Sequence, residues 1–203
     1  TSNNIEKVNY LADFLSEADD NININQIIVC YEEGVDINFL ENNVVNSNKI
    51  SYVRRSSELA EQGVPILKTV KYLIENSFLD NRLPISVQAA GYPMMKVAYH
   101  EMALFSQTIY KTDIVDSVRL DQSIFYSHNG KTLESLVPGE YRHERNLIFR
   151  RVGGLRFYSQ KFLSSGEDET SKNVILGHIE IDRLSSISWE DFNLIRCSDG
   201  LIE

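Results

Sequence analysis

Cysteine is almost absent from this sequence: Cys30 and Cys197 are the only two in 203 residues. Two thiols that far apart form neither a disulfide framework nor a zinc-binding cluster, so a reducing, cytoplasmic compartment is expected. Cys30 closes the apolar run QIIVC and reads as a buried structural thiol rather than a nucleophile paired with His100, His128, His143 or His178. No apolar run reaches the roughly 18 residues that a membrane-spanning helix requires, and the start of the chain lacks a basic segment followed by an apolar one. A soluble protein without a signal peptide is the expectation, with residues upstream of Thr1 left open.

Excess positive charge is missing too. The chain has 20 Lys and Arg against 29 Asp and Glu, a net charge of −9. General nucleic-acid binding is therefore not expected, because sequence-independent affinity comes from basic side chains neutralising phosphates. Much of the imbalance lies before Ile50, where Glu6, Asp13, Glu17, Asp19, Asp20, Glu32, Glu33, Asp36 and Glu41 face only Lys7 and Lys49. Such a region reads first as a solvated surface and second as a contact for a basic partner.

Complete catalytic signatures are also lacking. HNGKT ends like a phosphate-binding loop, but the glycine required five residues before Gly130 is replaced by Phe125. HEMAL has Leu104 where a zinc-protease helix carries its second histidine. There is no Gly-x-Ser-x-Gly elbow and no Gly-x-Gly-x-x-Gly loop. No motif implies a particular cofactor.

What is present is an ordinary globular composition, 42% hydrophobic and 24% charged, enough for one buried domain over 1–203. Residues 1–50 form an acidic helix and strand region, 51–113 read as helical, and 114–203 as antiparallel hairpins with a short last helix. IEKVNYLADFLSEA repeats its apolar residues at helical spacing, and VPILKTVKYLIENS has Pro65 near a helix start. GYPMMKVAYHEMALFSQTIYKT is the most regular helix, with Val97, Ala98, Met102, Leu104, Phe105 and Ile109 on one arc and Glu101 inside it. Beyond Ser117 the runs become short and alternating. Asn129-Gly130 and Gly153-Gly154 read as hairpin tips, and Ser188 to Asp191 has the spacing of a capping box. Helices followed by hairpins predict an α+β fold, with N-terminal helices packed on one face of a C-terminal, mainly antiparallel sheet.

Candidate site residues follow from this reading. With Gly153-Gly154 as a turn, Arg151 faces Arg156 and Phe149 faces Tyr158. Opposed like charges destabilise a strand pair, so an anion or carboxylate is expected beside the two arginines. The neighbouring strand, with His178, Glu180 and Asp182 on one side, supplies an internal counterion; the alternative is an external phosphate or carboxylate held by guanidinium forks. The same three residues would share a face on which a metal is conceivable, although a charged outer strand face is the simpler reading and no metal site is assigned.

Glu101 on an apolar helix face must be paired, hydrogen-bonded or protonated. These residues predict a pocket for a small anionic ligand, bearing carboxylate or phosphate, between the C-terminal sheet and the 94–110 helix. Arg151, Arg156 and Tyr158 would bind the ligand, and Glu101 and His178 would orient it or transfer protons. A protein interaction or regulatory module without a small ligand is the alternative. A metal-dependent nuclease is the weaker one.

Overall fold

The computed structural model describes residues 2–35, 38, 41–42, 47–61, 63–80, 82–121, 126–128, 131–135 and 148–191. Helices are α1 (Ser2–Asp20), α2 (Ser57–Ala60), α3 (Ile66–Glu75), α4 (Ala98–Tyr110) and α5 (Gln160–Ser165). Strands are β1 (Ile27–Tyr31), β2 (Ile50–Arg54), β3 (Ile85–Gln88), β4 (Ile114–Asp121), β5 (Tyr126–His128), β6 (Leu133–Ser135), β7 (Ile148–Tyr158) and β8 (Leu176–Glu180). Among the described residues, no helix is long and apolar enough to cross a membrane.

The central sheet has the order β3-β7-β4-β8. β7 is antiparallel to both of its neighbours, whereas β4 and β8 are parallel. β1 and β2 form a second, parallel pair. The expected mainly antiparallel sheet is thus corrected to a mixed one. Hairpin reasoning joins strands that follow each other in sequence, but β8 returns to β4 over a long crossover through β7 and α5, and such connections permit parallel pairing. The first half is likewise less helical than expected, because the five residues of β2 and four of β3 are too short to show a period.

The sheet is covered on two faces. On one, Met95, Tyr99 and Ala103 pack with Val115, Val152, Leu155, Phe157, Ile179 and Ile181. On the other, Leu67 and Val70 of α3 and Phe162 of α5 pack with Ile85, Ile114 and Tyr158. The α4 face differs from the sequence expectation by a rotation. Tyr99, Ala103 and Ser106 are buried, while Met102, Phe105 and Ile109 are 46%, 67% and 51% exposed. Small side chains at Ala103 and Ser106 let the helix approach the strands closely, and apolar residues all round α4 leave its periodicity ambiguous.

The second correction concerns Gly153-Gly154. They are not a turn, for β7 runs through them from Ile148 to Tyr158. The register against β4 slips there, with Asp116 opposite Arg156 but Val118 opposite Arg151. A bulge of this kind leaves extra residues unpaired, and Ser117 satisfies them. Its buried hydroxyl donates to Val152 O at 2.7 Å, lies 3.0 Å from Leu155 O and accepts Leu155 N–H at 3.1 Å. The β5–β6 hairpin forms as expected, pairing His128 with Leu133; its tip, Asn129-Gly130, lies outside the described residues, as do His143 and Cys197.

Candidate functional site

β3, β4 and β8 all run antiparallel to β7 or parallel to each other, so their carboxyl ends, Gln88, Asp121 and Glu180, lie at one edge of the sheet. In open α/β sheets this is the edge outside which ligands bind. At the end of β3 the loop 89–97 folds over the sheet. Trp189 N–H donates to Gly91 O at 2.7 Å, and Ser185 Oγ donates to Met94 O at 2.9 Å, which ties this loop to the segment after β8. The Tyr10 ring of α1 meets Trp189 edge-on at 5.7 Å.

These contacts enclose a cleft lined by Tyr10, Leu11, Phe14, Gln88, Ala90, Tyr92, Pro93 and Trp189. Its free volume is about 20 Å³, space for roughly one water molecule, so a ring-sized ligand would have to displace a wall. The glycines of β7 shape its floor. A Cβ on Gly154 would stand 2.4 Å from Met95 Cε and 3.0 Å from Tyr92 Cγ, and one on Gly153 3.4 Å from Tyr92 Oη. Without side chains there, Tyr92 can lie against the strand.

Behind Gln88 stands His100, in the first turn of α4. Its Nδ1 is 2.7 Å from Ser86 Oγ and its Nε2 2.9 Å from Gln88 Oε1. Burial pulls its pKa down from 6.5 to about 4, so the ring is neutral near neutral pH. A pair of arginines occupies the same sheet edge. Arg119 of β4 is directly opposite Arg150 of β7. Arg119 Nη1 donates to Ser186 Oγ at 3.2 Å, and among the described residues no carboxylate forms an ion pair with either guanidinium. The opposed pair expected from the sequence is Arg151 with Arg156, but those two lie on one strand, and the opposed arginines are Arg119 and Arg150, which sequence reasoning did not single out.

The residues singled out from the sequence fall into separate places. Arg156 is buried; its Nε and Nη2 donate to Asp116 at 2.6 and 2.9 Å, and Nη1 pairs with Glu169. Arg151, more than half exposed, places Nε 3.2 Å from the same Asp116. The two arginines do meet a carboxylate, supplied by β4 and the 166–173 loop rather than by Glu180 or Asp182. Tyr158 donates to Glu169 at 2.6 Å, and burial pushes its phenol pKa up.

Glu101 is exposed, contrary to the expected burial. It accepts from Asn21 and Asn23, each at 2.9 Å, and these amides hold its carboxyl below the ordinary range. It belongs to α4, which packs on the opposite side of the sheet from Tyr158, so the expected pocket joining it to Arg156 is not formed. His178 is exposed on β8, its ring 4.9 Å from that of Phe149. Asp182 turns away to accept from Lys96 at 2.9 Å, Tyr99 at 2.7 Å and Ser185 N–H at 2.9 Å. Burial opposes its ionisation, but these bonds hold its carboxyl well below the usual carboxylate range. Among the described residues no three His, Cys, Asp or Glu side chains are placed to hold a metal ion.

Sequence reasoning did not find Gln88, Tyr92 or Trp189. Their signal, an amide ending a four-residue strand and two aromatics in loops, has no spacing from which to infer convergence.

The sheet is mixed and covered by helices on both faces, with the 89–97 loop and the segment after β8 meeting at the carboxyl ends of its strands. The chain is similar to a 4-diphosphocytidyl-2C-methyl-D-erythritol synthase from Anaerococcus prevotii, at 12% identity over 96% of this chain and 89% of that one, with a TM-score of 0.62. It is similar to a CMP:2-keto-3-deoxy-manno-octonic acid synthetase complexed with CTP, at 9% identity over 96% and 88%, TM-score 0.59. A third likeness is to the 2-C-methyl-D-erythritol 4-phosphate cytidylyltransferase of Francisella tularensis, at 13% identity over 96% and 86%, TM-score 0.55. At such identities the likeness establishes a shared fold. No protein-family model matches the chain, and no curated protein matches it.

Proposed function

We propose that this protein binds a cytidine nucleotide at the carboxyl edge of its sheet, with the base in the aromatic cleft and the phosphates toward Arg119 and Arg150. The observation that carries the reading is that the cleft and the opposed Arg119–Arg150 pair lie toward the same carboxyl end of the sheet, the pair having no carboxylate partner among the described residues. Aromatic walls suit a π-face, a carboxamide suits a base edge, and opposed guanidiniums suit a polyphosphate. The shared fold supports the choice of nucleotide, since the similar proteins are cytidylyltransferases and one of them holds CTP. The anion contacts expected at Arg151 and Arg156 move, in this reading, to Arg119 and Arg150, because Asp116 and Glu169 already neutralise the former pair. The narrow cleft implies that Tyr10 or Trp189 shifts when the base enters.

In the corresponding reaction an acceptor oxygen would attack the α-phosphorus of CTP. The bond to the β-phosphate oxygen would break, pyrophosphate would leave, and the acceptor's proton would pass to solvent or a base. The first test is thermal denaturation in a Mg²⁺-containing buffer with CTP, UTP, ATP or GTP at equal concentration. CTP at about a hundredfold over its Kd should stabilise the protein by roughly 2.7 kcal/mol, and Arg119→Ala together with Arg150→Ala should remove most of that shift. Equal, negligible shifts with all four nucleotides would overturn the reading.

A further inference from the structure

His100 is part-buried behind the candidate site, and both of its ring nitrogens are committed. Ser86 and Gln88 are two residues apart on β3 and therefore project to the same side of the strand, where His100 bridges them at 2.7 and 2.9 Å. A neutral imidazole has one donor and one acceptor nitrogen. Gln88 Oε1 can only accept, so Nε2 carries the proton, and Nδ1 accepts from the Ser86 hydroxyl. The Phe14 ring, 5.6 Å from that of His100, closes the other side. Gln88 lines the cleft. With its oxygen turned back to His100, the group left for the cleft is its NH₂, which has no partner among the described residues.

We propose that Ser86 and His100 form a fixed relay that locks the Gln88 carboxamide with its NH₂ toward the cleft, so that Gln88 selects ligands presenting a hydrogen-bond acceptor there. His100 is a positioning residue: it acts through Gln88 and does not touch the ligand. The inference deepens the nucleotide reading and rests on it for the ligand's identity. A freely rotating glutamine could turn either its oxygen or its nitrogen to a ligand and would not discriminate. A locked one donates to the O2 or N3 acceptor of cytosine and opposes the N3–H of uracil. The same donor would equally suit a carboxylate oxygen of a second substrate, and the test separates these two sources.

The first arm needs no ligand. In ¹⁵N-labelled protein at pH 7, His100 should show a protonated Nε2 and an unprotonated Nδ1, and the Gln88 NH₂ should exchange freely with water. A protonated Nδ1, or a Gln88 NH₂ protected from exchange, would mean that the amide is turned the other way, and would overturn the relay. The second arm uses Trp189, the only tryptophan of the chain, as a fluorescent reporter in the cleft wall. CTP, UTP and 2-keto-3-deoxy-manno-octonate are titrated into wild type, Gln88→Glu, His100→Leu and His100→Gln.

Gln88→Glu keeps the acceptor for His100 but removes the donor from the cleft, and should weaken the ligand it contacts about tenfold or more. His100→Leu should weaken the same ligand. His100→Gln, which can again donate toward Gln88, should recover part of the loss, an outcome that a merely structural histidine would not give. If CTP is affected, with wild type preferring it to UTP, the acceptor edge is the base; if only the sugar acid is affected, it is the carboxylate. Unchanged affinities in His100→Leu would overturn the proposal. If no ligand perturbs Trp189 in wild type, the nucleotide reading falls, and the NMR arm still decides the relay.

Discussion

Gly154 shows how much of the candidate site depends on one missing side chain. Its carbonyl accepts the N–H of Ala89, the first residue after β3, at 2.9 Å, and its Cα faces the space filled by Tyr92 and Met95. In Gly154→Ala the Met95 methyl, 2.4 Å from the new Cβ, is the end of a flexible chain and can move. Tyr92 Cγ at 3.0 Å is the root of a ring and cannot swing without taking the cleft wall with it. Overpacking of this type costs about 1–3 kcal/mol. Gly153→Ala meets Tyr92 Oη at 3.4 Å and Cε2 at 4.0 Å, which is ordinary contact, and serves as the control. Urea unfolding should show a lower midpoint for Gly154→Ala and little change for Gly153→Ala; equal midpoints would show that Tyr92 does not rest on Gly154. The sequence displayed these two glycines plainly, but not their purpose. A glycine pair permits a turn and permits close approach equally well, and only the residue that approaches, Tyr92, distant in sequence, decides between them.

At the scale of elements, the arginine-rich strand is held by an ion network rather than by a ligand. Arg156 of β7 joins Asp116 of β4 to Glu169 of the loop leading to β8, and Tyr158 adds a second bond to Glu169. Removal of Arg156 would leave partly buried Asp116 to the exposed Arg151 and Glu169 to Tyr158, so Arg156→Ala should cost up to about 3–5 kcal/mol. Arg151 is exposed over more than half of its side chain, and the loss of its contact to Asp116 should cost at most about 1 kcal/mol. Chemical denaturation of the two variants checks this, and a similar loss in both would mean that Arg151 shares the buried charge. A nearby negative charge, either a carboxylate or an external anion, was expected from the sequence, through a hairpin pairing of Arg151 with Arg156 that the structure does not form. The identity of that charge was not legible, because Asp116 stands opposite Arg156 only through the register of a bulged strand. The rotation of α4 was illegible for a related reason: Met102, Phe105 and Ile109 are as apolar as the residues the helix buries, so composition could not say which side faced the sheet.

For the whole molecule, His100 links folding to pH in a window where few other groups titrate. Its pKa is 6.5 unfolded and about 4 folded, because burial disfavours the imidazolium. Between these values the unfolded chain binds the extra proton, so stability rises with pH. The contribution is fully present above pH 6.5, declines as pH falls toward 4, and levels off below that, a total of about 3 kcal/mol at 1.36 kcal/mol per pH unit. Asp182, Glu169 and Glu101, whose carboxyls are held below their ordinary values, add a separate loss that begins only near and below their unfolded pKa values of 3.8 to 4.5. The two losses therefore differ in position. His100→Gln should flatten the profile between about pH 4.5 and 6.5 and leave the steeper acid limb in place. Urea midpoints measured across pH 3 to 8 on wild type and variant decide the point. A wild-type profile already flat from pH 4.5 to 6.5 would place His100 in contact with water, and the enclosure of the Ser86–His100–Gln88 group behind the cleft would have to be abandoned with it.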